Sequence, residues 1–467
     1  MLDAYLSYFE TERTAFTIPG HKQKAYRLDQ GLGTVVDSDT PLYGGLDEIK
    51  LTEGTLKKAE ELAASLWGAD YARFSTGGST HANQAIILAL GKPGDKVAIT
   101  RTAHRSVLSA LVLTGLEPIW LTPDIDEATG VPTGIPVSEL ERVLDQKPIA
   151  LLLTEPGYLG AISDLPALIS KAHENSIPVI IDAAWGGHFG FNSKLPQHVL
   201  QLGADALITS VHKALPGYSA SALLLAQGEF LNLDRIEQSF ETTHTTSPAG
   251  APLASIDGCR ALLQSRGDQL TGDLLKYVNE FKAQVQSNFE KPIFLNSGDF
   301  AAGRFDPVKI VLRANLLGVS GVDIEKELQK VNIRVEMADQ DTIVFLATLA
   351  DNSDDFSVLS VALVKILKTL KATPRPTQTS LSWSIVPTVA VSMRDAYFAD
   401  TEFVSADKAI GRVSADLIAP YPPGVAVVAP GEVLTEQIVF GLSATHKAGV
   451  RIAYASDPTL ATYRVIK

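Results

Sequence analysis

Two charged residues sit where apolar runs end. In Asp205-Ala206-Leu207-Ile208-Thr209-Ser210-Val211-His212-Lys213-Ala214-Leu215-Pro216-Gly217, an apolar segment delivers Lys213 into a turn. Bounded by Gly203 and by Pro216-Gly217, the segment reads as a buried strand. Lysine is rarely buried unless it is paired or chemically engaged, and desolvation lowers its pKa toward the neutral amine that Schiff-base chemistry needs. On this stretch alone, a solvated lysine at a strand end fits equally well.

Upstream, Pro178-Val179-Ile180-Ile181-Asp182-Ala183-Ala184-Trp185-Gly186-Gly187-His188 predicts a second buried parallel strand with Asp182 at its carboxyl end. Asp182 and Lys213 are far enough apart in the chain for one crossover that returns to the same sheet edge. In open α/β sheets that edge is where ligands bind. A lysine and a carboxylate placed there suit pyridoxal 5′-phosphate: the lysine holds the cofactor and the carboxylate keeps its pyridine nitrogen protonated, so that the ring accepts electrons. Gly77-Gly78-Ser79-Thr80-His81 follows the predicted strand Tyr71 to Phe74 and opens a predicted helix, Ala82 to Leu90. Such a turn presents free N–H groups and the positive end of the helix dipole to an anion, which makes it a candidate phosphate cradle. It lacks the lysine of a Walker A loop, so an NTPase is a poor reading.

The ordered set Pro19-Gly20-His21-Lys22, Ser79-Thr80-His81-Ala82-Asn83, His104-Arg105-Ser106, Asp182-Ala183-Ala184-Trp185, Ser210-Val211-His212-Lys213, Thr245-Thr246-Ser247-Pro248, and Pro420-Tyr421-Pro422-Pro423-Gly424 with Pro430-Gly431-Glu432 resembles the Orn/Lys/Arg decarboxylase family. These are fold-type I pyridoxal-phosphate enzymes that decarboxylate basic amino acids. The resemblance implies an α/β large domain of that fold type, with a mostly parallel seven-stranded sheet, and a smaller α+β C-terminal region. It also implies decarboxylation of lysine, arginine or ornithine. By the same resemblance Lys213, Asp182 and His104 are catalytic, His104 stacking on the pyridine ring. Gly78, Ser79, Thr80, Ala184, Trp185, Ser210 and His212 join those three in binding the cofactor, and Thr245 and Thr246 face the substrate. The Cα proton donor is left open between Lys213, His104 and another group.

Two departures fall on the substrate side: Ser247-Pro248-Ala249-Gly250-Ala251 lacks the bulkier residues common after the family's Ser-Pro, and Ala183 stands where many short members have Glu. The sequence also shows no receiver-like N-terminal wing of the kind the long bacterial members carry. Aminotransfer or another lyase reaction on the same fold is the alternative chemistry, and a non-catalytic regulatory protein is the alternative of another class.

Glu432 is a further candidate. A basic substrate needs an acceptor for its distal cation, carboxylates supply the strongest one, and the prolines from Pro420 to Pro423 stiffen the approach. Its other reading is a solvent-facing carboxylate at the start of a helix over Val433 to Phe440.

Positioning these residues takes a large core, and a chain of 467 residues with 45% hydrophobic content allows two or three domains. Candidate strands are Tyr71 to Phe74, Lys96 to Thr100, Pro118 to Leu121, Ile149 to Thr154, Val179 to Asp182, Ala206 to Ser210 and Ala220 to Leu225, alternating with helices such as Thr55 to Trp67. Amphipathic stretches run from Leu253 to Phe289, and a second block has strands at Val308 to Arg313 and Thr342 to Leu346. Thr373 to Thr379 reads as a proline linker. The expected division is an arm over 1–45, a cofactor-binding large domain over 46–290, a small α+β domain over 291–372 and a C-terminal decarboxylase segment over 380–467. Net charge is −13, which disfavours nucleic acid as a partner. The single cysteine, Cys259, excludes an intrachain disulfide, and no Cys/His cluster has metal-site spacing. No run of about 18 apolar residues spans a membrane, and residues 1–13 lack a signal-peptide core. These features, with the resemblance, lead us to expect a cytoplasmic homodimer, or a multiple of one, without a metal.

Overall fold

The computed structural model describes residues 1–10, 30–40, 42, 46, 54–421 and 424–467. The motif Pro19 to Lys22, most of the predicted arm, and Pro422-Pro423 lie outside the described residues.

Seven strands form the central sheet: β1 (Tyr71–Ser75), β2 (Lys96–Thr100), β3 (Glu117–Leu121), β4 (Leu151–Thr154), β5 (Val179–Asp182), β6 (Ala206–Ser210) and β7 (Ala222–Ala226). Their order across the sheet is β1-β7-β6-β5-β4-β2-β3. All run parallel except β7, which is antiparallel to both of its neighbours. Each of the seven predicted strands is present, three with the expected ends and four with ends shifted by one or two residues.

Both faces of this sheet are covered, and the strand period of two decides which residue goes where. Leu151, Leu153, Val179, Ile181 and Leu207 pack on one side with Leu56, Ala59, Ala63 and Trp67 of α2 (Thr55–Trp67). Leu152, Ile180, Ala206 and Ile208 pack on the other, with helices α3 (Gly78–Leu90), α4 (Arg105–Thr114) and α5 (Leu233–Thr243). A short helix, α1 (Leu2–Glu10), precedes them, tied to Asp257 by the Met1 terminal amine at 2.9 Å and by the Leu2 N–H at 3.2 Å.

The predicted amphipathic stretches become one 37-residue helix, α6 (Gly250–Gln286). Leu253, Ile256 and Leu263 of this helix belong to the large-sheet core, whereas Leu274, Val278 and Phe281 belong to a second core. That second core surrounds a three-stranded antiparallel sheet of β8 (Ile310–Arg313), β10 (Thr342–Phe345) and β9 (Met337–Ala338), backed by α7 (Ser353–Leu370). Thr373 to Thr379 has no helix or strand, as expected of a linker, yet Arg375 pins it by donating to Val319 and Gln340 carbonyls and pairing with Asp341 at 3.1 Å. The last segment has its own core of Ile418, Val427, Val428, Leu434 and Ile438. Its helix α8 is Glu436–Lys447, capped by Thr435, so the helix expected from Val433 starts three residues later.

Candidate active site

The strand order reverses direction between β4 and β2, and a crevice opens at the carboxyl ends of the strands beside that switch point. Thr102 just beyond β2, Thr154 of β4, Asp182 of β5 and Ser210 of β6 all line it. The cavity holds about 380 Å³, within the usual range for a small-molecule site.

Asp182 is the last residue of β5, and alternation puts it on the same face as Ile180, under α3. From that helix Asn83 donates to Asp182 Oδ2 at 2.8 Å and to Ser106 Oγ at 2.9 Å. The Ala184 N–H donates to Oδ1 at 3.2 Å. Ser106 in turn donates to His104 Nδ1, from its hydroxyl at 2.9 Å and its backbone N–H at 3.2 Å, and His104 thereby caps α4. With Nδ1 an acceptor, the neutral ring carries its hydrogen on Nε2. Desolvation holds the His104 pKa below the usual histidine range, Lys213 and Arg105 push it the same way, and Asp182 opposes them.

Lys213 sits in the turn after β6. The turn is closed by Gly217 N–H donating to the Val211 carbonyl at 2.7 Å, and a Cβ on Gly217 would fall 2.5 Å from that same oxygen, so glycine is required for the close approach. Burial lowers the Lys213 pKa, against opposing attraction from Asp182 and Glu336. Its amine lies 4.3 Å from the centre of the Trp185 ring, and Lys309 Nζ lies 4.1 Å from the same ring. Burial brings Lys309 down to about 8. Trp185 is braced edge-on by Tyr158 at 5.4 Å.

The predicted anion cradle is built as its sequence suggests. Gly78 has φ +70 and starts α3, whose N-terminus has no side-chain cap, leaving first-turn N–H groups free for an anion. Ser79 Oγ and Ser210 Oγ are hydrogen-bonded at 2.8 Å, and Gly77, Gly78, Ser79 and Thr80 all line the cavity. A Cβ on Gly77 would come within 2.7 Å of His81 Cβ. His212 fixes its ring by donating from Nδ1 to the Ser221 carbonyl at 3.1 Å. The hydroxyl of Thr154, which lines the cavity, is buried without a partner, an orphan that a bound ligand would satisfy. An uncapped cradle, a desolvated lysine and a fixed carboxylate together fit pyridoxal phosphate.

Gly78, Ser79, Thr80, His104, Asp182, Ala184, Trp185, Ser210, His212 and Lys213 thus converge on one cavity. Thr245 and Thr246 do not: both are exposed, and neither lines the cavity of this chain. Glu432 is corrected outright. It is 0% exposed and accepts from Arg101, Trp120 and the Ala429 N–H, so its oxygens are consumed in the interior and it reads no ligand. It is not a helix-start residue either, since α8 begins at Glu436. Sequence reasoning missed Tyr158, Glu336, Trp383, Tyr421, Gly424 and Val425 as lining residues. Tyr421 and Gly424 lay within a quoted motif; Glu336, on an irregular segment ahead of Met337, carries no sequence signal of its own.

Comparison with known proteins agrees with this geometry. Residues 1–300 match the Orn/Lys/Arg decarboxylase major domain, and residues 378–449 match the Orn/Lys/Arg decarboxylase C-terminal domain. The chain is 34% identical over 463 residues to the arginine decarboxylase of Bacillus subtilis (strain 168), covering 97% of this chain and 94% of that protein. It is 32% identical over 466 residues to the arginine decarboxylase of Halalkalibacterium halodurans, with 97% and 94% covered. Lysine decarboxylase A from Pseudomonas aeruginosa has the same fold, with a TM-score of 0.84 at 18% identity over 100% of this chain and 80% of that one. A serine palmitoyltransferase solved with PLP shares the fold more distantly, with a TM-score of 0.53 at 13% identity over 68% of this chain and 77% of that one.

Proposed function

The chain belongs to the Orn/Lys/Arg decarboxylase family and decarboxylates a basic amino acid, and from that premise we propose that its substrate is arginine, its cofactor pyridoxal 5′-phosphate and its products agmatine and CO₂. The observation that carries the substrate reading is the pair of near-full-length relatives named arginine decarboxylase. The aromatic lining of the cavity, Tyr158, Trp185, Trp383 and Tyr421, supports it, because flat aromatic faces suit a planar guanidinium.

Gly77 to Thr80, Ser210 and His212 would hold the cofactor's phosphate, Asp182 its ring nitrogen and Lys213 its aldehyde carbon. When bound, the cofactor supplies an electron sink for the pair left behind as the Cα–carboxylate bond breaks. Asn83 and the Ala184 N–H keep the Asp182 carboxylate aimed. His104, uncharged with its Nδ1 committed to Ser106, covers the ring without bringing a competing cation. Lys213 Nζ, released by the substrate amine, would be placed to return the proton to Cα, and burial lowers its pKa in the direction that eases the transfer.

The active unit is a homodimer in the cytoplasm. The exposure of Thr245 and Thr246 beside a cavity they do not line supports a role for both in a partner's site. Agmatine feeds polyamine formation. The hydrophobic cores and the pinned proline segment support the division at 1–45, 46–290, 291–372 and 380–467, with α6 contributing to the cores of both 46–290 and 291–372.

The deciding experiment incubates cofactor-loaded protein with arginine, lysine and ornithine separately and identifies CO₂ and the amine formed. Agmatine as the dominant product supports the reading; cadaverine or putrescine as the dominant product overturns it.

A further inference from the structure

A second buried amine stands beside Lys213. Lys309 is the residue just ahead of β8, 5% exposed, and it does not line the cavity. Its turn is fastened to the loop after β4: the Lys309 N–H donates to the Asp306 carbonyl at 3.0 Å, and the Asp306 N–H donates to the Gly160 carbonyl at 2.8 Å. Gly160 has φ +98, and a Cβ there would fall 3.1 Å from Lys309 Cβ and Cγ, so the stem of the lysine packs directly on that backbone. The stem ends over an aromatic face. Lys309 Nζ lies 4.1 Å from the centre of the Trp185 ring, and Lys213 Nζ lies 4.3 Å from the same centre. An indole attracts a cation, but two cations gathered on one ring repel each other, so a proton held by one amine weakens the hold of the other on its own.

The groups around the two amines decide which of them is charged. Lys309 faces Asp306 on its own turn, Glu336 ahead of β9, and Lys213; burial brings it down to about 8, which leaves it mostly cationic at neutral pH. Asp306 is a fixed counter-charge. It is 2% exposed, it is paired with His188 Nε2 at 3.1 Å, and it accepts from the Val308 N–H at 3.1 Å. Against the cost of burial, His188 and Lys309 hold its carboxyl below the usual range. Lys213 faces Asp182, Glu336 and His104, and there the balance is different. The Asp182 oxygens are already engaged by Asn83 and the Ala184 N–H, and burial lowers the Lys213 pKa.

We propose that Lys309 is a positioning residue for the reaction: its ammonium is the resident cation of the Trp185 ring and leaves Lys213 as the free amine that attacks the cofactor's aldehyde. Condensation of an amine with an aldehyde forms a C=N bond and expels one water, and only the uncharged amine begins it. A neighbouring cation is one of the ways a lysine nucleophile is activated. The same cation favours departure of a proton from Lys213 once the substrate has displaced it.

The inference rests on the proposed function only in that Lys213 is the lysine that takes the cofactor, and the first measurement needs no cofactor. In full-length apoenzyme, trace acetylation of Lys213 by acetic anhydride, followed by mass spectrometry across pH, reports the uncharged fraction of that amine. Lys309→Met should slow Lys213 acetylation at pH 7 about three- to tenfold and move its titration to higher pH, as removal of a like charge requires. Lys309→Arg keeps the charge and should stay within about twofold of wild type. In the holoenzyme, the pH dependence of the visible cofactor absorbance should also move upward in Lys309→Met. Because that variant leaves Asp306 without its amine, Lys309→Met/Asp306→Asn is measured beside it, with urea unfolding as the check on folding, and the same slowing is expected. An unchanged Lys213 titration in the folded variants, a shift to lower pH, or an equal upward shift in Lys309→Arg would each overturn the assignment. If the wild type takes up no pyridoxal phosphate, the cofactor reading fails, and the acetylation profiles still decide the effect of Lys309 on Lys213.

Discussion

Arg101 and Glu432 form a bidentate ion pair in the interior, Nη1 to Oε1 at 2.6 Å and Nη2 to Oε2 at 3.0 Å, with 1% and 0% of the two side chains exposed. Arg101 directly follows β2, just ahead of the cavity-lining Thr102 and His104, and Glu432 belongs to the last segment of the chain. Trp120 adds an N–H to Oε1 at 3.1 Å, the Ala429 N–H adds one to Oε2 at 2.7 Å, and Arg101 also donates to the Val427 carbonyl at 3.0 Å. The pair therefore rivets the C-terminal segment, and with it Val425 in the cavity wall, to the catalytic sheet edge.

Removing one member leaves the other charge buried alone. Glu432→Gln should cost about 3–5 kcal/mol of stability, the range for breaking a buried pair, and Arg101→Met a similar amount. The double variant Arg101→Met/Glu432→Gln should be less destabilised than the sum of the two. Denaturant unfolding of the four proteins in a cycle checks this, and additive losses would deny the coupling. The ratio of arginine to citrulline turnover should not change in Glu432→Gln.

Lys213→Ala should abolish both turnover and the visible absorbance of the bound cofactor, because no other described lysine lines the cavity. Asp182→Ala should keep cofactor bound through the phosphate cradle and lose about 10²–10³-fold in kcat, the scale for removing one fixed electrostatic partner. Absorbance and single-substrate kinetics on the two variants separate holding the cofactor from activating it; full activity in either would refute the assigned role.

A mixed-subunit experiment addresses Thr245 and Thr246. Lys213→Ala and Thr245→Trp proteins, each inactive alone, should regain about a quarter of wild-type activity after joint refolding, since half of random dimers are mixed and each mixed dimer keeps one intact site. Absence of recovery would return the Thr245 segment to its own subunit.

Burial holds His198 at about 4, with its Nδ1 accepting from the Gln201 N–H. The unfolded chain titrates it near 6.5, so between those values the unfolded state binds the extra proton and stability must fall as pH falls. The full cost is about 3 kcal/mol, absent above pH ~6.5 and complete below pH ~4. His81 and His244 are also held at about 4 by burial, so the wild-type slope should be steep. Unfolding free energies measured across that window should show a shallower slope in His198→Gln by up to one proton's worth; parallel curves would contradict the buried neutral ring.

The catalytic half of the site was readable because it is local. Asp182 and Lys213 are written at the ends of apolar runs, and the Gly77-Gly78 turn carries its own backbone signature, so strand ends and a helix start were enough to bring them together. Glu432 misled for a physical reason: a carboxylate after stiff prolines looks presented to a ligand, and nothing near it in the chain announces that Arg101 and Trp120, more than 300 positions earlier, will fold around it. Glu336 was invisible for the converse reason. It lies in no periodic element, and its place in the cavity wall exists only once β9 and β10 have paired and Tyr158 has arrived from the other body. The seven strands were found because each alternates its side chains between two cores, whereas the single α6 was read only as amphipathic stretches because its apolar stripe changes partner halfway.

That helix has a mechanical consequence. At about 1.5 Å per residue, α6 is a beam roughly 55 Å long, anchored at one end among the residues that back the catalytic sheet and at the other among those that back β8 to β10. Hinging one body against the other would have to bend the beam or strip one of its two footings. The cavity lined by Lys213 on one side and Glu336 on the other therefore keeps its length, and no closing of one body upon the other adjusts it.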